Sequence, residues 1–422
     1  MVTVGKRHLW GRTIRINAQI QNDKARSYRL YPIKLAGLAL ICFVVAYYSL
    51  HAVKYSSYQP VRSSRYLWAV YHVHSTSSDG VGSPEEIARE AKASGISIVF
   101  LTEHDAVHPD SFPFRTMIDG VTLISGIEAR IAVGRFTYFS PMHIPSTVLS
   151  RYAPDVINHA RDLGAFPILA YTQDSRYGWR YWGGDLKPDG LEILNLFTNL
   201  RESSLAQKVN LLAYYPFSRY YFLKSVSVSQ QSLDRWDDLL RRGKSWAFIA
   251  SDAHGGFHVG KRVTVSVPSY ADTFALTGLG IDKIYASDPE SAIRNGDFFD
   301  CIRGAGEPAL FDFYAVHQNH KFTSGSNPPA GAALHVRIQT DYAIQLILKK
   351  DGQINQRVFG DNIDVGAADT GTYRVEVYIL RHPFLAPTVP WIISNPIFIG
   401  PHFAGLNSPS RTTLLPSTRP AG

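Results

Sequence analysis

The stretch YHVHSTSSDG, residues 71–80, determines how the rest of the chain is interpreted. His72 and His74 are separated by one residue, so in an extended strand their side chains point to the same face. Asp79 follows five positions after the second histidine. Imidazole and carboxylate groups are ligands that borderline divalent metals prefer. Alone, the stretch is also consistent with a polar loop, so a metal site requires further ligands from elsewhere in the chain.

Short apolar runs alternate with amphipathic segments over residues 66–303 and predict an α/β fold. The segment at 83–95 is typical, with Ser83 as N-cap, Pro84 at the first helical position and Gly95 at the C-terminal end. Such alternation predicts a parallel sheet covered by helices on both faces, and this many strands favour a barrel over an open sheet. The predicted strands are 66–71, 96–101, 121–126, 135–140, 166–171, 191–196 and 246–250.

Barrels of this type carry their function at the C-terminal ends of the strands. In this chain, ligand-type side chains follow five of the seven predicted strands, whereas the N-terminal ends offer mainly glycine. The candidate metal ligands are His72, His74, Asp79, His104, Glu128, His143, Asp252 and His254. One ion uses three to five protein ligands, so eight candidates predict two or three ions. Clustered metals lower the pKa of a bridging water and stabilise both oxygens of a displacement, which predicts hydrolysis by a bridging hydroxide.

The motifs HVHSTSSDG, LTEHD, GIE and SDAH resemble, in this order, those of the PHP (polymerase and histidinol phosphatase) family over residues 66–303. The resemblance implies a distorted (β/α)7 TIM-like barrel and a phosphoesterase with two or three Zn, Mn or Fe ions. It also implies that His72, His74, Glu128 and Asp252 bind one metal. Asp79, His104 and His254 would bind a second metal with Glu128 bridging, and Glu128 and His143 would belong to a third site.

One position departs from the family pattern. Tyr171, in ILAYTQD (168–174), stands where the family usually has a histidine. A tyrosine pKa of about 10 makes the side chain a poor ligand. The alternatives are that Tyr171 or Asp174 completes the third site or that this site is weak or empty, and a binuclear enzyme is the simpler expectation.

Basic side chains near the ligands are consistent with phosphate binding and also with ordinary solvated surface charges. Arg130 lies two residues after Glu128, and either Arg130 or a metal is predicted to stabilise the developing charge. The stretch GGFHVGKR (255–262) follows His254. Residues 176–185 are rich in aromatic residues and glycine and predict a lid, a substrate wall or a membrane contact. Glu192 and Asn195 are predicted to orient ligands.

Three functions remain open on this basis. The first is hydrolysis of a small phosphoester. The second is hydrolysis of a carbamate or carboxylic ester, because WIISNPIFIG (391–400) is similar to a strand of the carbaryl-hydrolase-like branch. The third is a catalytically degenerate binding module, which the loss of a ligand at Tyr171 would favour.

The N-terminal residues predict a membrane anchor. Residues 1–34 hold eight basic residues and one acidic residue, and residues 35–53 contain no charged residue. Nineteen helical residues are about as long as a bilayer is thick. The positive-inside rule predicts a cytoplasmic N-terminus, a single transmembrane helix at 35–53, a linker at 55–65 and an extracytoplasmic catalytic domain. A cleaved signal peptide and a buried core helix are the alternatives.

The net charge of +8 is concentrated in this N-terminal segment, which leaves +1 for the other 388 residues. A nearly neutral body argues against a long nucleic-acid track. Residues 304–402 consist of alternating apolar runs and predict a small β-sandwich, in which DTGTYRVEVY (369–378) is typical of a tyrosine corner. Residues 403–422 are rich in proline and serine and predict a disordered tail. The oligomeric state is not predicted.

Overall fold

The computed structural model describes residues 32, 34–50, 53, 55–104, 114–140, 153–259, 263–401 and 412–414. The chain divides into two units, Met1–Tyr58 and Gln59–Gly422. Of the predicted basic segment at 1–34, only residues 32 and 34 are described, so this prediction lies almost entirely outside the described residues.

Residues 34–50 of the first unit are helical and largely exposed. Within the described residues, no helix is both long and apolar enough to span a membrane, in contrast to the transmembrane helix predicted over 35–53. The extracytoplasmic location stays a prediction from the charge distribution.

All seven strands predicted in the second unit are present, and one further strand, β3, precedes β4. Their bounds are β1 Tyr66–Val73, β2 Ile98–His104, β3 Arg115–Ile118, β4 Val121–Ile131, β5 Gly134–Phe139, β6 Phe166–Ala170, β7 Gly190–Asn195 and β8 Trp246–Ala250. Almost every residue of β1, β2, β6, β7 and β8 is buried, as expected for strands covered on both faces.

The strand directions differ from the predicted parallel alternation at β5. Parallel pairing joins β1 to β2, β2 to β4, β6 to β7 and β7 to β8. Strand β5 is antiparallel to both β4 and β6. The cause is the short turn at 132–133 between β4 and β5, because so short a connection permits only a hairpin. The prediction of a strictly parallel sheet is therefore wrong at this strand.

The segment that follows β8 is hydrogen-bonded to the end of β1. Ser251 N donates to Tyr71 O at 2.9 Å, Ala253 N to His72 O at 3.1 Å and His74 N to Ala253 O at 2.9 Å. On its other edge β1 pairs antiparallel with a later strand, Gly278–Asp282, so the sheet also extends beyond β1. The fold is thus mixed α/β with one large sheet, and a regular (β/α)7 barrel is not confirmed.

The remaining strands belong mainly to the C-terminal part. They are β9 Phe257–Val259, β10 Val263–Val265, β11 Gly278–Asp282, β12 Phe298–Cys301, β13 Leu310–His317, β14 His320–Phe322, β15 Ala333–Gln339, β16 Ile344–Lys350, β17 Gln353–Phe359, β18 Asn362–Val365, β19 Gly371–Ile379, β20 Ile392–Ser394, β21 Ile397–Ile399 and β22 Thr412–Leu414. Strands β9 and β10 form a separate two-stranded sheet.

The strands of the predicted β-sandwich are divided between two sheets. Strands β18, β15, β13, β14 and β22 form a five-stranded sheet in that order. Strands β16, β17, β19, β20 and β21 instead join the large sheet, through the pairing of β20 with β12. The large sheet is therefore continuous across the predicted boundary at residue 303. Tyr373 Oη donates to Asp369 O at 3.0 Å, which confirms the predicted tyrosine corner.

Strand β22 lies within the tail predicted to be disordered, and the rest of residues 403–422 lies outside the described residues. The helices are α1 Pro84–Ala93, α2 Ala153–Asp162, α3 Leu196–Glu202, α4 Leu205–Tyr214, α5 Gln230–Leu240, α6 Tyr270–Phe274 and α7 Pro289–Asn295. Helix α1 begins as predicted, because Ser83 and Glu86 form a capping box and Pro84 occupies the first turn.

A buried ion pair connects β19 to α5. Arg374 donates to both carboxylate oxygens of Asp237, at 2.9 Å each, and also to Glu376 Oε1 at 2.5 Å. The Arg374 guanidinium lies 4.8 Å from the ring centroid of the buried Trp236. The C-terminal strands are thus joined to a helix that covers the site-bearing part of the sheet.

Candidate metal centre

The strand ends that carry ligands have strained backbones. His72 at the end of β1, Tyr171 after β6 and Asp252 after β8 have φ values of +66°, +56° and +48°. Left-handed backbone at a non-glycine residue costs about 1–3 kcal/mol and is concentrated at functional sites. The three residues lie close together, since the rings of His72 and Tyr171 are 5.5 Å apart and His72 Nε2 is 3.5 Å from Asp252 Oδ1.

A first group of ligand atoms is fully buried. His72, His74 and Asp252 offer atoms that all lie within 4.8 Å of one another. Asp252 Oδ1 is 3.5 Å from Nε2 of each histidine. Glu128 Oε2 is 3.4 Å from the same two nitrogens. These four residues are the ones that the family resemblance assigns to one metal.

A second group lies beside the first and is more open. His74, Asp79, His104 and His254 also offer atoms within 4.8 Å of one another. Asp79 is 3.1 Å from His104 Nε2 and 3.3 Å from His254 Nε2, and its side chain is 53% exposed. His74 belongs to both groups, since its Nδ1 lies 3.6 Å from Asp79.

Glu128 lies between the two groups. Its Oε2 is 3.4 Å from His74 Nε2 in the first group and 3.3 Å from His104 Nδ1 in the second. The carboxylate is buried at the register position of β4 that faces His104 of β2. Glu128 therefore has the position that a bridging carboxylate requires.

The charges in the site compensate one another. Burial alone would raise the pKa of Asp252, but His72 and its neighbouring histidines hold that pKa well below its usual value. Burial opposes protonation of His254, yet its hydrogen bond to Asp79 raises its pKa to about 9. Histidines that ligate a metal must be deprotonated. A divalent cation bound here would therefore replace the protons that these histidines carry in its absence.

Several buried ligand atoms have no hydrogen-bond partner among the described residues. They are Nε2 of His74 and both carboxylate oxygens of Asp252. A buried carboxylate that accepts no hydrogen bond is costly unless neighbouring charges or a metal compensate it. In the described part of the chain, Asp252 has only the nearby histidines for this purpose. Histidine nitrogens and carboxylate oxygens are also the donor set that Zn, Mn and Fe accept. The residues present therefore fit divalent cations.

Neighbouring side chains hold the ligands in position. Glu192 Oε1 lies 2.5 Å from His72 Nδ1, so Nε2 of that ring is directed at Asp252 and Glu128. Glu192 also accepts from Tyr171 N at 2.8 Å and from Asn195 Nδ2 at 3.1 Å. Glu192 and Asn195 thus lie where residues that orient a ligand are expected.

The loop of the opening motif is held by Glu103, whose role was not predicted. Glu103 accepts from Ser75 N at 3.1 Å and from Ser78 Oγ at 2.5 Å, which shapes the loop that carries Asp79. Gly80 has no room for a side chain, because a Cβ there would lie 2.2 Å from His74 O. The LTEHD motif indicates a separate role for Glu103, because adjacent residues of a strand point to opposite faces. If His104 faces the metal ligands, Glu103 faces away from them.

Arg135 contacts Glu128 directly. Arg135 Nη1 donates to Glu128 Oε1 at 2.7 Å, whereas the Arg130 side chain is exposed. Glu128 is directly opposite Thr137 in the β4–β5 hairpin, so Arg135 is its diagonal neighbour. Sequence reasoning missed Arg135 because it treated β5 as a separate parallel strand.

Asp174 belongs to neither ligand group. Burial raises the pKa of Tyr171 well above its usual value, which disfavours the phenolate that a metal ligand requires. Asp174 accepts from Thr198 Oγ1 at 2.9 Å and also pairs with Arg201. The described residues thus provide two ligand groups, and His143, predicted for a third site, lies outside them.

Other predicted residues also lie outside the described part. Asp105, Lys261 and Arg262 are not described, and of His258 only the backbone is described, within β9. The loop at 176–185 is described, and its Trp179 is buried. Trp179 lies so close to Gly134 that a side chain at position 134 would come within 2.9 Å of the Trp179 Cα. This loop packs onto the β4–β5 hairpin.

A large apolar cavity adjoins the ligands. It has a volume of about 510 Å³, and Asp252 and His254 are part of its wall. Most of the remaining wall consists of aliphatic and aromatic side chains from α3, α4 and the segments that follow them.

No protein-family model matches the chain. A curated 5'-3' exoribonuclease from Haemophilus influenzae is 40% identical over 58 residues, which are 14% of this chain and 21% of that protein. The chain thus matches only about a fifth of the length of that relative.

Three solved structures overlap with the chain at low TM-scores. A two-domain protein containing a predicted PHP-like metal-dependent phosphoesterase, from Bacteroides vulgatus, is 15% identical, with 80% of this chain and 98% of that chain covered and a TM-score of 0.36. Endonuclease Q with a duplex bearing an abasic lesion is 15% identical, with 61% and 65% covered and a TM-score of 0.34. A putative metal-dependent phosphoesterase from Bifidobacterium adolescentis is 14% identical, with 49% and 94% covered and a TM-score of 0.27.

PHP-like proteins are thus among the solved structures to which this chain is similar, as the resemblance of its motifs predicts. Because the TM-scores of these structures are 0.36 or lower, no function is inferred from them.

Proposed function

We propose that this protein is a metal-dependent hydrolase of the PHP type that cleaves phosphoesters. The observation that carries the proposal is that two groups of ligand atoms share His74 and are joined by Glu128. Divalent metals held this close are suited to displacement at phosphorus, because they can stabilise the attacking and the leaving oxygen together.

The ligands have separate tasks in this proposal. His72, His74 and Asp252 would hold one cation in the buried part of the site, and Asp79, His104 and His254 would hold the second on the open side. The metals would supply an activated water and Lewis-acid stabilisation. Because Asp79 is 53% exposed, the substrate is expected to enter from its side.

Two guanidinium groups support a phosphorylated substrate. Arg135 Nε and Arg201 Nη1 are buried and have no hydrogen-bond partner among the described residues. Both guanidinium groups lie over the ring of Tyr177, at 4.7 Å and 5.0 Å from its centroid. Guanidinium groups donate well to phosphate oxygens. Other nitrogens of Arg135 and Arg201 already pair with Glu128 and Asp174, so a bound phosphate would take only the two unpartnered donors.

A second candidate function is hydrolysis of a carbamate or carboxylic ester on the same ligands. The observation in its favour is the apolar cavity at Asp252 and His254, which suits an uncharged ester. The names of two compared proteins, an exoribonuclease and Endonuclease Q, add oligonucleotides as substrates to be tested. The prediction that no long nucleic acid binds rests on the charge of the body alone.

A substrate panel with metal analysis tests these functions on the purified full chain. We expect at least two divalent ions per chain and hydrolysis of p-nitrophenyl phosphate that a chelator abolishes. Bis-p-nitrophenyl phosphate, a naphthyl carbamate and a 5'-phosphorylated oligonucleotide separate the other candidates. Activity on the carbamate alone would overturn the phosphoester proposal, and a chain that takes up no metal would support the binding module instead.

A pair of histidine variants gives the matched control. His74→Ala removes a ligand of both groups and is expected to lower metal content and to abolish hydrolysis. His159→Ala changes a half-buried histidine on α2 that belongs to neither group, and it is expected to retain both properties.

A further inference from the structure

The apolar cavity is continuous with the ligands of the metal centre. Asp252 and His254 form part of its wall, and the ring of Phe197 lies 5.6 Å from the ring of His254. A substrate with its scissile bond at these ligands would therefore have one substituent in the cavity.

The wall of the cavity is suited to hydrocarbon. Leu200 and Leu276 line it together with Leu211 and Leu212 of α4. Its volume of about 510 Å³ lies in the range typical of small-molecule pockets. Burial of apolar substrate surface against such side chains is favourable, roughly in proportion to the area removed from water.

The mouth of the cavity is open and apolar. Leu212 is 68% exposed and Phe197 is 42% exposed, although both side chains line the cavity. Large exposed hydrophobic side chains around an opening are a mark of ligand-binding grooves. Arg201, with its buried unpartnered nitrogen, is one of the basic residues of the same wall.

We propose that the substrate is an amphiphilic phosphomonoester, with its phosphate at the metal ligands and its aliphatic or aromatic alcohol in this cavity. This inference rests on the proposed function. In the reaction, the oxygen of water bonds to phosphorus and the bond from phosphorus to the alcohol oxygen breaks. A proton of the water passes to the departing alcohol, so the products are inorganic phosphate and the free alcohol.

A series of alkyl phosphates tests the proposal. Methyl, butyl and octyl phosphate are compared by kcat/KM at concentrations below micelle formation. We expect kcat/KM to rise about two- to fourfold per methylene while the chain still fits the cavity. Equal kcat/KM along the series would overturn the inference and leave the proposed phosphoesterase function intact.

Two exposed leucines of α4 provide a matched pair of variants. Leu212→Asp puts a charge at the mouth of the cavity and is expected to flatten the dependence of kcat/KM on alkyl chain length. Leu205→Asp introduces the same charge on the same helix, at a residue that is 78% exposed and does not line the cavity. It is expected to behave as the wild type, and an equal effect of both changes would contradict the proposal.

A binding measurement separates the failure of this inference from failure of the proposed function. Calorimetry with 1-octanol and the metal-free full chain is expected to show binding with a negative heat-capacity change, and this binding is weakened by Leu212→Asp only. Octanol binding without hydrolysis of any phosphate ester would overturn the proposed function but support the cavity as an apolar subsite. Hydrolysis without octanol binding would overturn the subsite.

Discussion

Arg135 donates a 2.7 Å hydrogen bond to Oε1 of Glu128, while Oε2 of the same carboxylate faces histidines of both ligand groups. The guanidinium thus holds the carboxylate that joins the groups. It is itself held over the ring of Tyr177.

Arg135→Met should weaken metal binding and activity by about 10- to 100-fold, because residues that orient a metal ligand contribute on this scale. Metal affinity measured by competition with a chelator, together with kcat/KM, checks this. Arg130→Met is the control, since Arg130 is the directly opposite residue in the hairpin and its side chain is exposed. A larger loss of metal affinity and kcat/KM in Arg130→Met than in Arg135→Met would contradict this prediction and support the role of Arg130 predicted from the sequence.

Glu192→Gln should lower metal affinity by about 10- to 100-fold, because it removes the charge that directs the His72 ring. The fold should be retained, since glutamine can still accept from the backbone of Tyr171. Metal titration followed by near-UV circular dichroism would check both points. Glu290→Gln, a change to a surface pair with Arg294, is the control and should leave affinity unchanged.

Tyr171→His should raise the metal content from two ions per chain to three, because it supplies the histidine that the family pattern has at this position. The left-handed φ of +56° is one that histidine already tolerates at position 72. Tyr171→Phe should retain two ions, since a neutral buried phenol is not a ligand. Elemental analysis of the wild type and of both variants measures the number of ions per chain. Loss of an ion in Tyr171→Phe would show that Tyr171 is a metal ligand.

Asp237→Ala should destabilise the protein by about 3–5 kcal/mol, because it leaves the Arg374 guanidinium buried without its bidentate partner. Chemical denaturation measures the free energy of unfolding. Asp238→Ala, at a neighbouring position that is 51% exposed, should change it by less than about 0.5 kcal/mol. Equal effects of the two variants would mean that the buried pair contributes no more than a surface pair.

Local chemistry explains why much of the site could be predicted. His72, His74, Asp252 and His254 alternate along the chain next to apolar runs, and this pattern depends only on the two-residue repeat of a strand. The start of α1 was predicted for a similar reason, since capping involves residues within one turn of each other.

Pairing between distant strands could not be predicted in the same way, because the two-residue repeat is the same for parallel and antiparallel strands. The hairpin of β4 and β5 therefore brought Arg135 to Glu128. The joining of β20 to β12 likewise placed C-terminal strands in the large sheet.

The sequence by itself thus determined which side chains can bind metal and at which strand ends they stand. Only the tertiary structure decided that His74 and Glu128 serve two ligand groups and that α3 and α4 enclose an apolar cavity beside them. The physical reason is that ligand chemistry belongs to single residues, whereas a shared ligand or a cavity exists only when segments far apart in the chain pack together.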